Sequence, residues 1–193
     1  EEGRFRCADY IFTEGRRLER LSLKLLELMV LHRQEFELAA LDTRVIRERL
    51  TEAAGALAKK YGAALSCDLA PARVLAEPDL LQTLLLNLAD NAAKAYLPGE
   101  NPPERPVRVI GRRCPAGYRV DVADEGRGIP REALSRVTEA FYTADKSRSR
   151  EYSGVGLGLA LCAAIAAVHG ARLELESKPG RGTTAWLLLP YAP

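Results

Sequence analysis

Between residues 14 and 33 leucine returns at alternating steps of three and four, at Leu18, Leu21, Leu25 and Leu28. Ile11 extends the series backwards and His32 extends it forwards. That spacing lays side chains along one seam of a helix that pairs with others. The expectation is a bundle helix whose partners are missing here or come from a second chain. Asp42 and Thr43 then suit an N-cap, Ile46, Leu50, Ala53 and Leu57 recur at helical spacing, and Gly62 stops the helix. Leu65, Cys67 and Leu69 alternate like a strand, and Pro78 suits the first position of a long apolar helix. Further on, VRVIGRR and YRVDVAD read as strands around the turn CPAG, and PREALSRVTEAF reads as a short helix. YTADKSRSREYS shows neither period and predicts a mobile loop. GLGLALCAAIAAVHG predicts a helix ended by Gly170, and ARLELES and TTAWLLLP a closing hairpin around KPGRG. This order predicts an α+β two-layer sandwich, one mostly antiparallel sheet with helices on one face.

Composition narrows the picture only a little. The chain has 193 residues, room for one substantial core or one domain with an appendage. Hydrophobic residues at 47% and charged residues at 28% describe an ordinary globular protein. A net charge of +2 gives no reason to expect nucleic acid as a partner. Cys7, Cys67, Cys114 and Cys162 show no CxxC spacing, so plain thiols are expected in place of a disulfide framework or zinc site. The longest apolar stretch, VGLGLALCAAIAAV, is too short to cross a bilayer, and no signal-peptide pattern opens the chain.

The chemistry concentrates in a few places. Residues 84–96, LLLNLADNAAKAY, set Asn87, Asn91 and Lys94 into an apolar run. Offsets of four and seven return to nearly the same direction on a helix, so the three share one stripe. A stripe of this kind is a solvated face, a buried Asn fixing helix register, or a preorganised set of amide oxygens with an ammonium beside them. In YRVDVADEGRGIP, period two puts Tyr118, Val120, Val122 and Asp124 on one face. A carboxylate on an apolar face needs a donor, and Gly126 and Gly128 let backbone approach a flat ligand. A solvated turn has the same composition. Gly154, Gly156 and Gly158 lead into an apolar helix, where backbone N–H groups suit phosphate as well as close packing. The spacing is not the dinucleotide fingerprint, and no P-loop pattern occurs. Lys146, Arg148 and Arg150 just upstream suit either a solvated run or a lid over polyphosphate. Phe141 reads as a core anchor.

Taken in order, NLADNAAK, DEGRGIP, EAFYTADKSRSR, GVGLGLAL and GRGTT resemble the N box, the first glycine box, the F box and the second and third glycine boxes of sensor histidine kinases. The match runs over about residues 65–190, and the fold it implies is the Bergerat-type ATP-binding fold shared with gyrase, Hsp90 and MutL. EGRRLERLSLKLLEL resembles the second helix of the family's dimerisation bundle. The resemblance therefore implies a bundle remnant over residues 1–40 and an ATP-binding catalytic domain over residues 41–193. It implies ATP and Mg²⁺ as ligands, with Asn91 giving its amide oxygen to the metal and Lys94 neutralising phosphate charge. Asn87 stands where related hydrolytic ATPases carry a Glu. An amide cannot activate water as that base does, so Asn87 and Lys94 are expected to serve phosphoryl transfer. Asp124 would accept from the adenine amino group, Gly126, Gly128 and Ile129 would line its pocket, and Thr183 would stand beside the base. Tyr142, Lys146 and Arg148 would contribute from the F box and lid. Gly154, Val155, Gly156, Leu157, Gly158 and Leu159 would meet the phosphates.

The family phosphorylates a His within an H-E-x-x-[T/N]-P-like motif on the first bundle helix. Neither His32, in LHRQEF, nor His169, at a helix terminus, carries that motif. His32 reads as a core or interface residue and His169 as structural, so the acceptor helix is expected to be absent here. The resemblance implies further partners: a response regulator and, in the full-length protein, a second copy of the chain. It implies a cytoplasmic domain of a membrane-anchored bacterial sensor. Two other readings share the ATP fold: a protein serine kinase of the anti-sigma-factor type, and a nucleotide-dependent interaction module without transfer activity.

Overall fold

The computed structural model describes residues 2–96, 106–143 and 156–193, with the side chains of residues 2–9, Arg17 and His32 outside that description. A helix α1 (Glu2–Arg33) leads into a short strand β1 (Ala39–Asp42). Two acidic side chains then start the next two long helices. The Asp42 carboxylate accepts from Arg44 N–H at 2.9 Å and opens α2 (Thr43–Tyr61), which Gly62 ends in the left-handed conformation, φ 68. Strands β2 (Leu65–Leu69) and β3 (Arg73–Ala76) follow. Glu77 accepts from Leu80 N–H at 2.5 Å and opens α3 (Pro78–Lys94), with Pro78 at its favoured first position. The rest of the chain is β4 (Val107–Cys114), β5 (Gly117–Ala123), a single turn α4 (Arg131–Leu134), α5 (Gly158–Val168), β6 (Glu174–Lys178) and β7 (Gly182–Leu189).

The main sheet has the order β2-β4-β5-β7-β6. Only β2 and β4 run parallel, and the other pairs are antiparallel, as the pattern of short turns predicts. Along β5, Tyr118, Val120 and Val122 face the core together with Val107 and Val109 of β4 and Leu187 and Leu189 of β7. Helices α2, α3 and α5 cover this face. On the other face Arg112 and Arg119 stand opposite each other across β4 and β5. Asp121 relieves that like-charge pairing by accepting from both, at 2.7 Å and 2.6 Å.

The pattern along the sequence missed three features. β1 and β3 form a separate two-stranded antiparallel ladder from Ala39↔Ala76 to Asp42↔Arg73, too short for alternation to show. The helix expected over PREALSRVTEAF shrinks to α4, followed by turns. The leading helix starts at Glu2, well before the leucine seam. That seam also divides. Leu28 packs against the core, as does Leu31 beside the seam, whereas Ile11 and Leu18 stay 67% and 60% exposed. The packed half has a cause in α5, whose sequence GLALCAAIAAV offers no polar side chain. A helix apolar all round needs cover on more than one side; α3 supplies one side and α1 another.

His169 holds the far ends of α3 and α5 together. It is fully buried, its Nε2 accepts from Glu77 N–H at 3.1 Å, and its Nδ1 lies 2.8 Å from Ile165 O. Those contacts define a neutral ring protonated on Nδ1. The ring is structural, and it places the start of α3 against the end of α5. Cys67, Cys114 and Cys162 are free thiols. Among the described residues no helix is long and apolar enough to cross a membrane.

Candidate functional site

Period two carries Asp124 one step beyond β5, onto the buried face, where it is 8% exposed. Its Oδ1 accepts from Gly126 N–H at 2.8 Å and Thr183 N–H at 3.3 Å. Burial raises the carboxyl to about 6, and those two backbone donors only partly oppose the rise. The loop that follows is stitched to two neighbours. Arg127 N–H donates to Ala95 O at 3.1 Å, and Glu125 N–H donates to the Tyr96 hydroxyl at 2.9 Å, both just beyond α3. On the other side Ile129 N–H donates to Ser177 Oγ at 2.7 Å, and that hydroxyl lies 2.9 Å from Thr183 Oγ1. Two glycines are sterically required. Gly128 has φ 70, and a Cβ there would overlap Lys178 O; a Cβ on Gly182, φ 95, would overlap Asp124 O.

Helix α3 buries Leu84, Leu85, Leu88 and Ala92 and leaves the stripe Asn87, Asn91 and Lys94 half-buried. Each member of the stripe has a different environment. Asn87 Oδ1 accepts from Lys24 Nζ of α1 at 2.7 Å, while its Nδ2 donates to Thr83 O at 2.8 Å. Asn91 packs on the first residue of α5: a Cβ on Gly158 would stand 3.4 Å from Asn91 Nδ2. That Nδ2 is itself buried without a hydrogen-bond partner among the described residues. Lys94 pairs with Asp90 Oδ2 at 2.5 Å, and Asp90 also accepts from Tyr61 and Lys60 of α2. Burial alone would raise the Asp90 carboxyl, but Lys94 and the two α2 donors hold it at about 2.

The second glycine box begins α5 at Leu157 and Gly158, with no capping side chain among the described residues and no acid in its first turn. Its leading N–H groups are the kind that receive anions. Leu157 itself is a core side chain, and Leu159 is half-buried against the core. Gly156, φ 75, meets the F box: Phe141 N–H donates to Gly156 O at 2.9 Å. Phe141 corrects the expectation of a core anchor, because it is 58% exposed with φ 67 and contributes backbone instead. Tyr142 lies beneath the Arg136 guanidinium, 4.6 Å from its ring centre. Lys146, Arg148, Arg150, Gly154 and Val155 lie outside the described residues.

The structure thus brings Asp124, Gly126, Gly128, Ile129 and Thr183 into one cluster, and Asn91 and Gly158 into another. α3 joins them, since Ala95, one turn past Asn91, lies 2.7 Å from where a Gly126 Cβ would be. Sequence reasoning missed Ser177, Tyr96 and Lys24. Ser177 closes an alternating strand and Tyr96 ends the run LLLNLADNAAKAY, both faint signals. Nothing local marks Lys24.

A buried carboxylate at one end and open helix N–H groups at the other, both on the helical side of one sheet, are the layout of a two-layer α/β nucleotide-binding domain. The chain belongs to the family of histidine kinase-, DNA gyrase B- and HSP90-like ATPases, whose family model matches residues 76–193. It is 43% identical over 118 residues to the sensor-like histidine kinase SenX3 of Mycobacterium tuberculosis, which is 61% of this chain and 28% of that protein. It is 38% identical over 121 residues to the phosphate regulon sensor protein PhoR of Pseudomonas aeruginosa, 62% of this chain and 26% of that protein. Full-length ShkA in complex with AMPPNP superposes with a TM-score of 0.76 at 26% identity, covering 96% of this chain and 39% of that one. The mycobacterial sensor histidine kinase MprB gives 0.65 at 25% identity, covering 81% and 99%. The chain therefore spans less than a third of these curated relatives' length.

Proposed function

We propose that this chain is the ATP-binding catalytic part of a two-component sensor histidine kinase, and that it transfers the γ-phosphoryl group of ATP to a histidine on a separate helix. The observation that carries this reading is the reach of α3: Ala95 meets the Asp124 loop and Asn91 meets the start of α5. One helix so spans both ends of an elongated ligand. Both backbone donors on Asp124 fall on Oδ1, so the adenine amino group would be received by Oδ2. Gly126, Gly128 and Ile129 would form the walls beside the base, with Thr183 at its edge. The phosphates would lie at the N–H groups of Gly158 and Leu159, with Lys94 swinging from Asp90 to meet them. By the resemblance Gly154, Val155 and Gly156 would offer backbone to the phosphates, and Tyr142, Lys146 and Arg148 would contribute from the F-box side.

The residues present fit a magnesium ion bound together with the phosphates. A hard cation takes an amide oxygen such as Asn91 Oδ1 readily, while the buried Asn91 Nδ2, without a partner among the described residues, would be met by a phosphate oxygen. When bound, the ion would neutralise phosphate charge and orient the terminal group. Asn87 offers no carboxylate to activate water, which supports transfer over hydrolysis. By the same resemblance residues 1–40 would belong to a dimerisation bundle and residues 41–193 to the catalytic domain, as a cytoplasmic part of a membrane-anchored sensor. A second copy and a response regulator would be its partners.

The test is to incubate the chain with γ-labelled ATP and Mg²⁺ beside a polypeptide carrying the acceptor helix. Acid-labile, base-stable label on a histidine of that polypeptide is expected, with none on the chain alone. Acid-stable label on a serine would identify the anti-sigma-type kinase. Tight ATP binding without any transfer would identify an interaction module.

A further inference from the structure

The ammonium of Lys24 comes from α1, sixty-three positions before Asn87, and ends 2.7 Å from the Asn87 amide oxygen. The other side of that amide is bound to Thr83 O, so the amide is held in one orientation. The side chain is half-buried, and among the described residues no carboxylate pairs with it. A partly buried ammonium whose partner is a neutral amide keeps its charge uncompensated by that contact.

Three relations, added to the Asn87 contact, locate that charge. Asn87 stands one turn, about 6 Å along the axis, from Asn91. Cys162, one turn into α5 from Gly158, is pushed up to about 12 by its burial, and Lys24 is the charge that opposes the rise. Asn91 and Gly158 are in contact with each other. The ammonium thus lies in the seam between α3 and α5, one turn from the point where the two helices meet.

We propose that Lys24 is a nucleotide-positioning residue supplied by the leading helix: it locks the Asn87 amide and attracts the terminal phosphate of ATP bound across Asn91 and Gly158. The inference rests on the ATP reading of the site and adds a cation that lies outside every glycine, N or F motif. It also makes the placement of α1 a determinant of how well the site holds a triphosphate. ADP, which lacks the terminal group, should sense Lys24 far less.

The experiment is calorimetric titration of the chain, with α1 present, by Mg·ATP and Mg·ADP, for wild type, Lys24→Met and Lys24→Arg. Met keeps the packed stem and removes the charge. Lys24→Met should weaken ATP about five- to tenfold and ADP less than about twofold, and Lys24→Arg should recover most of the loss. The ATP loss should also shrink in high salt. Unchanged ATP affinity in Lys24→Met overturns the proposal. So does an equal loss of ATP and ADP with a lowered melting temperature, which would mark Lys24 as packing alone. Wild type that binds neither nucleotide would instead refute the ATP reading itself, and this inference with it.

Discussion

Replacing Asp124 with Asn separates what the residue does for folding from what it does for a ligand. Burial raises this carboxyl from 3.8 to about 6. At 1.36 kcal/mol per unit, a rise of about two units means that the ionised form costs the native state about 3 kcal/mol at neutral pH. The sign follows from proton binding. Between those two values the native chain binds more protons than the unfolded one, so stability from this group grows as pH falls through about 6 and levels off near 3.8. Asn keeps an oxygen for the Gly126 and Thr183 N–H groups but carries no charge. Asp124→Asn should therefore be more stable than wild type by up to about 3 kcal/mol at pH 7.5, with the gap closing towards pH 4. Its second atom is now an NH₂, which would meet the adenine amino group donor to donor, so ATP affinity should fall by at least about tenfold. Urea unfolding across pH 4–8 and calorimetric ATP titration measure the two effects. A destabilised Asp124→Asn with a pH-independent gap would refute the burial argument, and undiminished ATP affinity would remove Asp124 from the adenine site.

Other substitutions probe the remaining elements. Asn91→Ala deletes an amide whose Nδ2 has no partner among the described residues, so stability should move by less than about 1 kcal/mol while Mg·ATP affinity drops by about tenfold or more; urea unfolding checks the first and an ATP titration with and without EDTA the second. His169→Leu leaves Glu77 N–H without its acceptor in the core and should cost about 1–3 kcal/mol in urea unfolding, with the acceptor atom and not the volume responsible. Asp90 is held at about 2 against a usual 3.8, so its ion pairs stabilise the fold above 3.8 and fade as pH falls towards 2. Asp90→Asn should accordingly flatten that acid limb of the stability profile.

The parts of the site that were legible in the sequence are those fixed by local geometry. Period two along β5 put Asp124 on the side of Tyr118, Val120 and Val122, and all four are buried. The 3.6-residue period set Asn87, Asn91 and Lys94 in one stripe, and Pro78, Asp42 and Gly62 marked helix ends by their own backbone preferences. Harder to read were pairings between distant segments. β1 and β3 have four residues each, below the length at which alternation stands out, and they exist because each completes the other's hydrogen bonds. Phe141 looked like an anchor because aromatics usually are; its positive φ and the bond to Gly156 O come from the backbone of a loop that no side-chain pattern encodes.

The stripe on α3 shows why sharing a face does not mean sharing a role. Its direction is a property of the helix, but the partners come from whatever each turn of the helix opposes. At the Asn87 level the neighbour is α1, so the amide receives an ammonium from a segment sixty-three positions away. One turn on, the neighbour is the glycine at the start of α5, which has no side chain to offer, and among the described residues the Asn91 Nδ2 has no acceptor. At the last turn the neighbour is α2, whose Lys60 and Tyr61 converge with Lys94 on Asp90. Among the described residues the middle position is thus the member of the stripe with a donor left unmet. An unmet buried donor is costly unless something arrives to use the group. On the proposed reading a phosphate oxygen would use that group, with Lys24 and Asn87 on one side of it and the Asp90–Lys94 pair on the other.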